Sequence, residues 1–523
     1  MISRSLFSFS SRKPLLVCGL LIAVGIDTSA EAAEVCAGFR MPKEHCPAVD
    51  LSVCGPKDLK CRAERLMACP SLQAPPSGYE PYQLKIDFPQ TEPEVEERPW
   101  LKFAPFKAGS LQERADQSRA YLSAVLSYVM EGNREVDWRV EKNEVRDWYY
   151  APWMHFDGAN GREPLRGLTR ELCSAPGVLH SLQKTPTDSW AVGFYNAPGG
   201  YQIGQVWKSW VEAATCPSEP AEPVDIGFPE GTVSFKLLFI TATADQVPFL
   251  KEAPGWEAYI FPTPPKPERD FCDAGYVQDV HELRLLQLDI AVKDTRSGNS
   301  TGWTFGTFIY MYDDKITDVW ERLKPVGLQW GNDPQREQQD LAGLEPSKWW
   351  QVPLLEGWIN PEVAALFRSE GREWLGLHGR LNGPVDNWKS GCTSCHSAQA
   401  VGHKEGDSIL ERPGEDTLPW HACGTADPKI GEPCEVNSLF TKFFANRRGD
   451  VSYEPGYLPL DYSLQLAKSL QFYVDWLNSA RVSNTSTGSY TKSDGPYLTG
   501  SETGTYQDLQ IEVPAPKGAN IRR

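Results

Sequence analysis

Residues 392 to 396 have the types and spacing of a covalent haem attachment motif. Cys392 and Cys395 are separated by two residues, and His396 follows directly. Cysteines at this spacing lie on one helical turn and can add across both vinyl groups of a haem, which leaves the adjacent histidine under the iron. The motif therefore predicts one covalent haem c, attached through Cys392 and Cys395, with His396 as an axial ligand of the iron.

A disulfide or a thioredoxin-like redox pair is the competing interpretation of Cys392 and Cys395. A redox pair of that kind follows a strand and opens a helix. Residues 380–387, with the sequence RLNGPVDN, are instead typical of an irregular loop. The sequence therefore favours haem.

Residues 340–482, which contain this motif, resemble the cytochrome c superfamily. The phrases GRLNGPVDNWKSGCTSCH and WAVGFYNAPGGYQIGQVW are also similar to large single-haem bacterial periplasmic proteins of undefined role. The superfamily resemblance implies a mainly α-helical haem module in which a late helix packs against an earlier one. Residues 466–477 would form that late helix.

The sixth ligand of the iron is not in its usual place. Members of the superfamily supply a methionine downstream of the motif, whereas the six methionines here all precede it. We take His421 and Met154 as the candidate distal ligands, ahead of His403, His378 and His155. An iron with an open or water-bound sixth position stays an alternative.

The sixth ligand separates the possible functions. An iron closed on both sides transfers electrons, while an open one binds oxygen, peroxide or small gases. Electron transfer with a redox partner, either a protein or a small-molecule donor or acceptor, is the favoured function. A peroxidase-like or oxygen-using haem enzyme, with Trp153, His155 or an arginine acting on the distal side, is one alternative, and a haem-based redox or gas sensor is another.

Other catalytic motifs are weak. His281 and Glu282 begin a zinc-protease pattern, but leucine stands where the second histidine belongs. The sequence has neither a nucleophile elbow nor a phosphate-binding loop.

The amino-terminal residues predict export. Basic residues precede an apolar run at 14–25, and small residues near Ala32 offer a cleavage site, as in a secretory signal peptide spanning 1–32. We expect a periplasmic protein with no membrane span in the mature chain. The net charge of −17 disfavours nucleic acid as a partner and favours a partner with a basic docking face.

Cysteine usage also fits an oxidising compartment. The chain has 13 cysteines, of which one lies in the predicted signal peptide and two in the motif. The remaining ten are an even number, which predicts disulfides. Cys423 and Cys434 are expected to pair. One of the five cysteines within residues 33–73 is expected to bridge to Cys173, Cys216 or Cys272, or to stay free, and a zinc site there is disfavoured.

The remaining sequence predicts the elements that must hold the motif. Apolar residues at helical spacing predict a helix over 111–131, and alternating patterns predict strands near 233–239, 286–292 and 303–310, with one face towards solvent. We therefore predict a multidomain α+β protein. Its segments are a Cys-rich extension and Pro/Glu-rich linker (33–99), a mixed domain with an antiparallel sheet (100–335), the haem module (340–482) and an extended or mobile tail (483–523).

Overall fold

The computed structural model describes residues 75–94, 97–157, 161–214, 226–262, 278–298, 301–336, 351–369, 375–386, 390–403, 410–411, 438–453 and 457–473. The predicted signal peptide, Cys-rich extension and tail lie outside the described residues, as do His421, Cys423 and Cys434. Cys173 takes part in a disulfide.

The strands have the following bounds: β1 Trp148–Tyr149, β2 Phe156–Asp157, β3 Gly161–Arg162, β4 Thr169–Ser174, β5 Thr187–Asn196, β6 Val233–Ile240, β7 Gly255–Ile260, β8 Asp279–Lys293, β9 Trp303–Tyr310, β10 Leu323–Gln329, β11 Gly357–Ile359, β12 Ala400–His403, β13 Leu410–Glu411 and β14 Tyr457–Pro459. Nine of them form one antiparallel sheet in the order β1-β5-β6-β8-β9-β10-β11, with β4 beside β5 and β7 beside β8. A second sheet has the order β13-β12-β14, and β2 pairs with β3.

The helices of the described residues are α1 Leu111–Met130, α2 Ala197–Ala214, α3 Pro361–Ser369, α4 Cys392–Ser397, α5 Ser438–Phe443 and α6, of which 464–473 are described. None of these helices is long and apolar enough to cross a membrane.

The first face of the sheet packs against α1, as the helical pattern predicts. Ser110 caps this helix by accepting a hydrogen bond from the Glu113 backbone N–H. Leu122 is fully buried. It approaches β9 closely because Gly306 has no side chain, and a Cβ there would lie 2.4 Å from Leu122 Cδ2. The predicted helix is confirmed to within one residue.

The second face of the sheet is covered, so the prediction of a solvated face is wrong. Ser234, Gln287 and Thr307 lie on this face and are buried. The carboxyl-terminal segment covers it, since the Tyr195 and Ser463 hydroxyls are hydrogen-bonded at 2.7 Å. Polar residues alternate along these strands because they meet polar groups of that segment, not bulk water.

The mixed α+β class is confirmed, but the described part of residues 340–482 is not mainly helical. Strand β11 belongs to the large sheet, where it pairs with β10 and buries Trp358. Strands β12, β13 and β14 form the small sheet between the helices. The late helix is present as α6, and its Leu466 and Leu470 are buried. Part of this segment forms β11 and not helix because the edge of β10 otherwise has backbone N–H and C=O groups without partners.

The packing of α1 gives a stability prediction. Leu122→Ala removes a fully buried side chain and leaves a cavity against Gly306, which costs about 2 to 5 kcal/mol of the free energy of unfolding. Leu111→Ala is the matched control, because Leu111 is on the same helix and is 57% exposed. Urea unfolding measures both, and equal losses for the two variants would contradict this packing.

Candidate functional site

The motif helix α4 is short and depends on tertiary contacts. Its first turn begins at Gly391, whose backbone N–H donates to Ser394 Oγ at 2.9 Å. The Thr393 N–H donates to Gln329 Oε1 of β10 at 3.1 Å. A helix of six residues is marginal alone, so these bonds fix it on the second face of the sheet.

His396 is held in one tautomer. Its Nδ1 lies 2.9 Å from the carbonyl oxygen of Tyr462. A carbonyl can only accept, so Nδ1 carries the proton and Nε2 keeps a lone pair. Burial lowers the pKa of His396 to about 4, despite an opposing effect of that hydrogen bond. A neutral imidazole oriented by its other nitrogen is the usual form of a metal-binding histidine.

The ring of His396 is also packed on one side. The Phe305 ring of β9 lies 4.7 Å from it, centroid to centroid, with a tilt of 36°. Phe305 belongs to an apolar cluster that also contains Tyr462, Val401 and Leu460. The sheet and the segment after β14 thus both hold the imidazole.

The two motif cysteines are not joined to each other. Neither Cys392 nor Cys395 takes part in a disulfide, and both are partly exposed. Burial raises the pKa of the Cys392 thiol well above its usual range, and Asp289 and Asp386 raise it further. A redox-active thiol has a lowered pKa. The structure therefore does not favour the disulfide or thioredoxin-like interpretation.

A charged cluster lies beside Cys392 on the second face. Lys236 and Asp289 are cross-strand neighbours, and Lys236 Nζ lies 3.2 Å from Asp289 Oδ2 and 3.7 Å from Asp386 Oδ1. Their side chains are 21 to 25% exposed, although β6 and β8 are interior strands with neighbours on both edges. This accessible surface therefore lies in a recess between the sheet and the segments that cover it.

The recess contains buried acceptors that need donors. Gln287 is fully buried, and its Nε2 donates to Asp289 Oδ2 at 2.7 Å and to Asp386 Oδ2 at 3.0 Å. Gln287 Oε1, Asp289 Oδ1 and Gln465 Oε1 have no hydrogen-bond partner among the described residues. Buried acceptors of this kind are satisfied by ordered water or by a bound ligand.

The motif residues fit a covalent haem. Two thiols and one neutral imidazole lie on a single helical turn, each partly exposed. Cys392 borders both large apolar clusters of the structure, which offers apolar surface beside the attachment point. The described residues contain no group of three His, Cys, Asp or Glu side chains that could hold a bare metal ion.

The candidate distal ligands are placed differently. Met154 is buried in the apolar cluster that borders Cys392. It follows Trp153, whose φ of +63° is unusual for a residue with a side chain. His421 lies outside the described residues. His403 is on β12, and nothing is described of its side chain.

His155 lies among other rings. Its Nδ1 is 3.0 Å from Thr169 Oγ1, and the Thr169 hydroxyl donates to the Met154 carbonyl at 2.7 Å. The rings of Tyr82 and Tyr150 form T-shaped contacts with its ring, and both belong to the other large apolar cluster. Burial lowers the pKa of His155 to about 3. His378 is also buried, and its ring faces Phe440.

Lys236, Asp289 and the Tyr462 carbonyl are site groups that sequence reasoning missed. A signal existed for the first two, because each is a lone charge within an apolar strand, in VSFKLLFI and LQLDIAV. Lone charges in two neighbouring strands meet when the register places them opposite each other. A backbone carbonyl leaves no such signal.

Comparison of the chain with protein-family models, with curated proteins and with solved structures found no match.

The Asp289 environment predicts a pH dependence. Burial raises the pKa of Asp289 from 3.8 to about 6, although Lys236 opposes the shift. A raised pKa in the folded state means that folding favours the protonated form, so this stabilisation is complete below about pH 4 and is lost as the pH rises through 6. Relative to Asp289→Asn, the wild-type protein should lose roughly 1 to 3 kcal/mol of unfolding free energy between about pH 4 and pH 7. Urea unfolding at several pH values measures this, and parallel curves for the two proteins would refute it.

Proposed function

We propose that the chain is an exported c-type haem protein that exchanges single electrons with a redox partner. The observation that carries this proposal is the hydrogen bond from His396 Nδ1 to the Tyr462 carbonyl, which leaves Nε2 available beside two thiols. When bound, the haem supplies one-electron oxidation and reduction at its iron.

The roles of the chain's own residues follow from this geometry. Cys392 and Cys395 would hold the haem through thioether bonds, and His396 Nε2 would bind its iron. Phe305 and the Tyr462 carbonyl keep the imidazole from rotating, since one packs against the ring and the other accepts the hydrogen bond of its Nδ1–H. A fixed ligand reduces the reorganisation that accompanies each change of charge.

The haem module of this proposal comprises residues 340–482, whose described helices are α3, α4, α5 and α6. The bonds from Thr393 to Gln329 and from Ser463 to Tyr195 support its docking on the sheet. Met154 is the distal ligand that we favour among the described residues, because its thioether lies in the apolar cluster bordering Cys392. His421 remains a candidate from the sequence alone.

The partner and the compartment belong to the same proposal. A net charge of −17 attracts a protein with a basic docking face and accelerates its encounter. The amino-terminal pattern and the disulfide at Cys173 support the periplasm as the compartment.

A haem enzyme is the second candidate, and the charged recess favours it. Lys236, Asp289 and Asp386 place titratable groups beside the attachment point. Groups of this kind can give or take a proton when a substrate reacts at an open iron. The difference between the two candidates is therefore whether the sixth position of the iron is closed.

Attachment is tested by removing the thiols. The double variant Cys392→Ala, Cys395→Ala should retain no haem on a denaturing gel after coexpression with a cytochrome c maturation system, because no covalent bond can form. Ser397→Ala is the matched control, since it alters the same helix and keeps both thiols. Haem staining of the double variant, or its absence from the wild-type protein, would contradict the proposal.

Carbon monoxide separates the carrier from the enzyme. We expect the reduced wild-type protein to be low-spin and unchanged by carbon monoxide, because both axial positions are closed. Met154→Leu conserves volume but removes the thioether, and should give high-spin iron that binds the gas. Met130→Leu, on α1, is the control and should behave as wild type.

Two other results of the carbon monoxide experiment would contradict these expectations. Binding of carbon monoxide by the wild-type protein would favour the enzyme over the carrier. A Met154→Leu protein that stays low-spin would exclude Met154 as the ligand.

A further inference from the structure

Two consecutive residues before α6 adopt a strained backbone conformation. Asp461 has a φ of +41° and Tyr462 a φ of +69°, both in the left-handed region. Residues with a side chain seldom adopt this region, and they persist there where surrounding contacts hold them. Contacts around this turn must therefore hold it in place.

The Asp461 carboxylate is the anchor of this turn. It is buried, and Lys293 Nζ lies 2.7 Å from both of its oxygens. Trp303 Nε1 donates to Oδ1 at 2.8 Å, and the Phe228 N–H donates to Oδ2 at 2.8 Å. Lys293 and Trp303 are cross-strand neighbours on β8 and β9, so two strands of the sheet hold the turn.

The residues that follow are fixed as well. The Tyr462 hydroxyl donates to the Arg447 carbonyl at 2.7 Å. Ser463 Oγ accepts the Leu466 N–H at 3.0 Å and so caps α6. The peptide carbonyl of Tyr462, which accepts the hydrogen bond from His396 Nδ1–H, is therefore held between two anchored side chains.

We infer that Asp461 is a positioning residue for His396: its ion pair with Lys293 holds the strained turn that aims the Tyr462 carbonyl at Nδ1, and so sets the redox balance of the bound haem. This inference rests on the proposed function. A strong hydrogen bond to Nδ1 makes the imidazole a better donor to oxidised iron. Loss of the carboxylate weakens that bond and leaves the charge of Lys293 uncompensated, and both effects favour reduced iron.

The variant Asp461→Asn tests the inference in the haem-loaded, full-length protein. Asparagine tolerates the left-handed region, so the turn is not blocked sterically, while the charge is lost. We expect the ratio of reduced to oxidised haem at a fixed solution potential to rise about tenfold, which corresponds to about 59 mV for one electron.

Asp188→Asn is the matched control. Asp188 is equally buried and lies 2.7 Å from Arg170 Nη2. Tyr195 and Phe305 lie in the same cross-strand row of the sheet. Asp188 is seven residues before Tyr195 on β5, so it lies about 23 Å from this row. Asp188→Asn should lower stability in the same way as Asp461→Asn while changing the redox ratio less than about twofold.

A second variant decides the matter if Asp461→Asn does not accumulate. Lys293→Met keeps much of the side-chain length but removes the ion pair with Asp461. It should accelerate exchange of the His396 Nδ1 proton at least severalfold, as followed by nuclear magnetic resonance of the holoprotein. Exchange at the wild-type rate would overturn the role of Asp461.

The outcomes distinguish the positioning role of Asp461 from the proposed function. A wild-type protein without covalent haem contradicts the proposed function. A loaded Asp461→Asn protein whose redox ratio matches that of Asp188→Asn within twofold overturns the positioning role and leaves the haem proposal standing.

Discussion

The second face of the nine-stranded sheet bears charged and polar side chains that must find partners away from water. Leaving Lys236 or Asp289 buried without a partner would cost several kcal/mol. The carboxyl-terminal segment supplies those partners, since Asp386 approaches Lys236 and Asp461 pairs with Lys293. The position of the attachment motif is a consequence, because the same segment brings α4 onto β9 and β10.

The proposed haem site is not built from one segment of the chain alone. The imidazole of His396 is held by Phe305 of the sheet on one side and by the Tyr462 carbonyl on the other. Buried ion pairs contribute more to specificity of arrangement than to net stability in some proteins. Here that specificity would fix the direction of a ligand, so changes far from the motif in sequence would alter the redox behaviour of the haem.

Local patterns were sufficient for several of the elements, and they supply the motif as a prediction. Helix α1 and strands β6, β8 and β9 follow from apolar periodicity, and Cys392 to His396 follows from spacing alone. The covering of the second face could not be predicted, because alternation looks the same whether polar residues meet water or a distant segment. The Tyr462 carbonyl was equally hidden, since its role depends on a turn 66 positions after His396 and not on its side chain.

A pyridine haemochrome spectrum of the purified wild-type protein tests the central claim most directly. The account predicts a c-type spectrum with one haem per chain that stays with the polypeptide after extraction with acidified organic solvent. A protein that is fully matured in the presence of haem and yet shows no c-type band, or loses its haem on extraction, would contradict it.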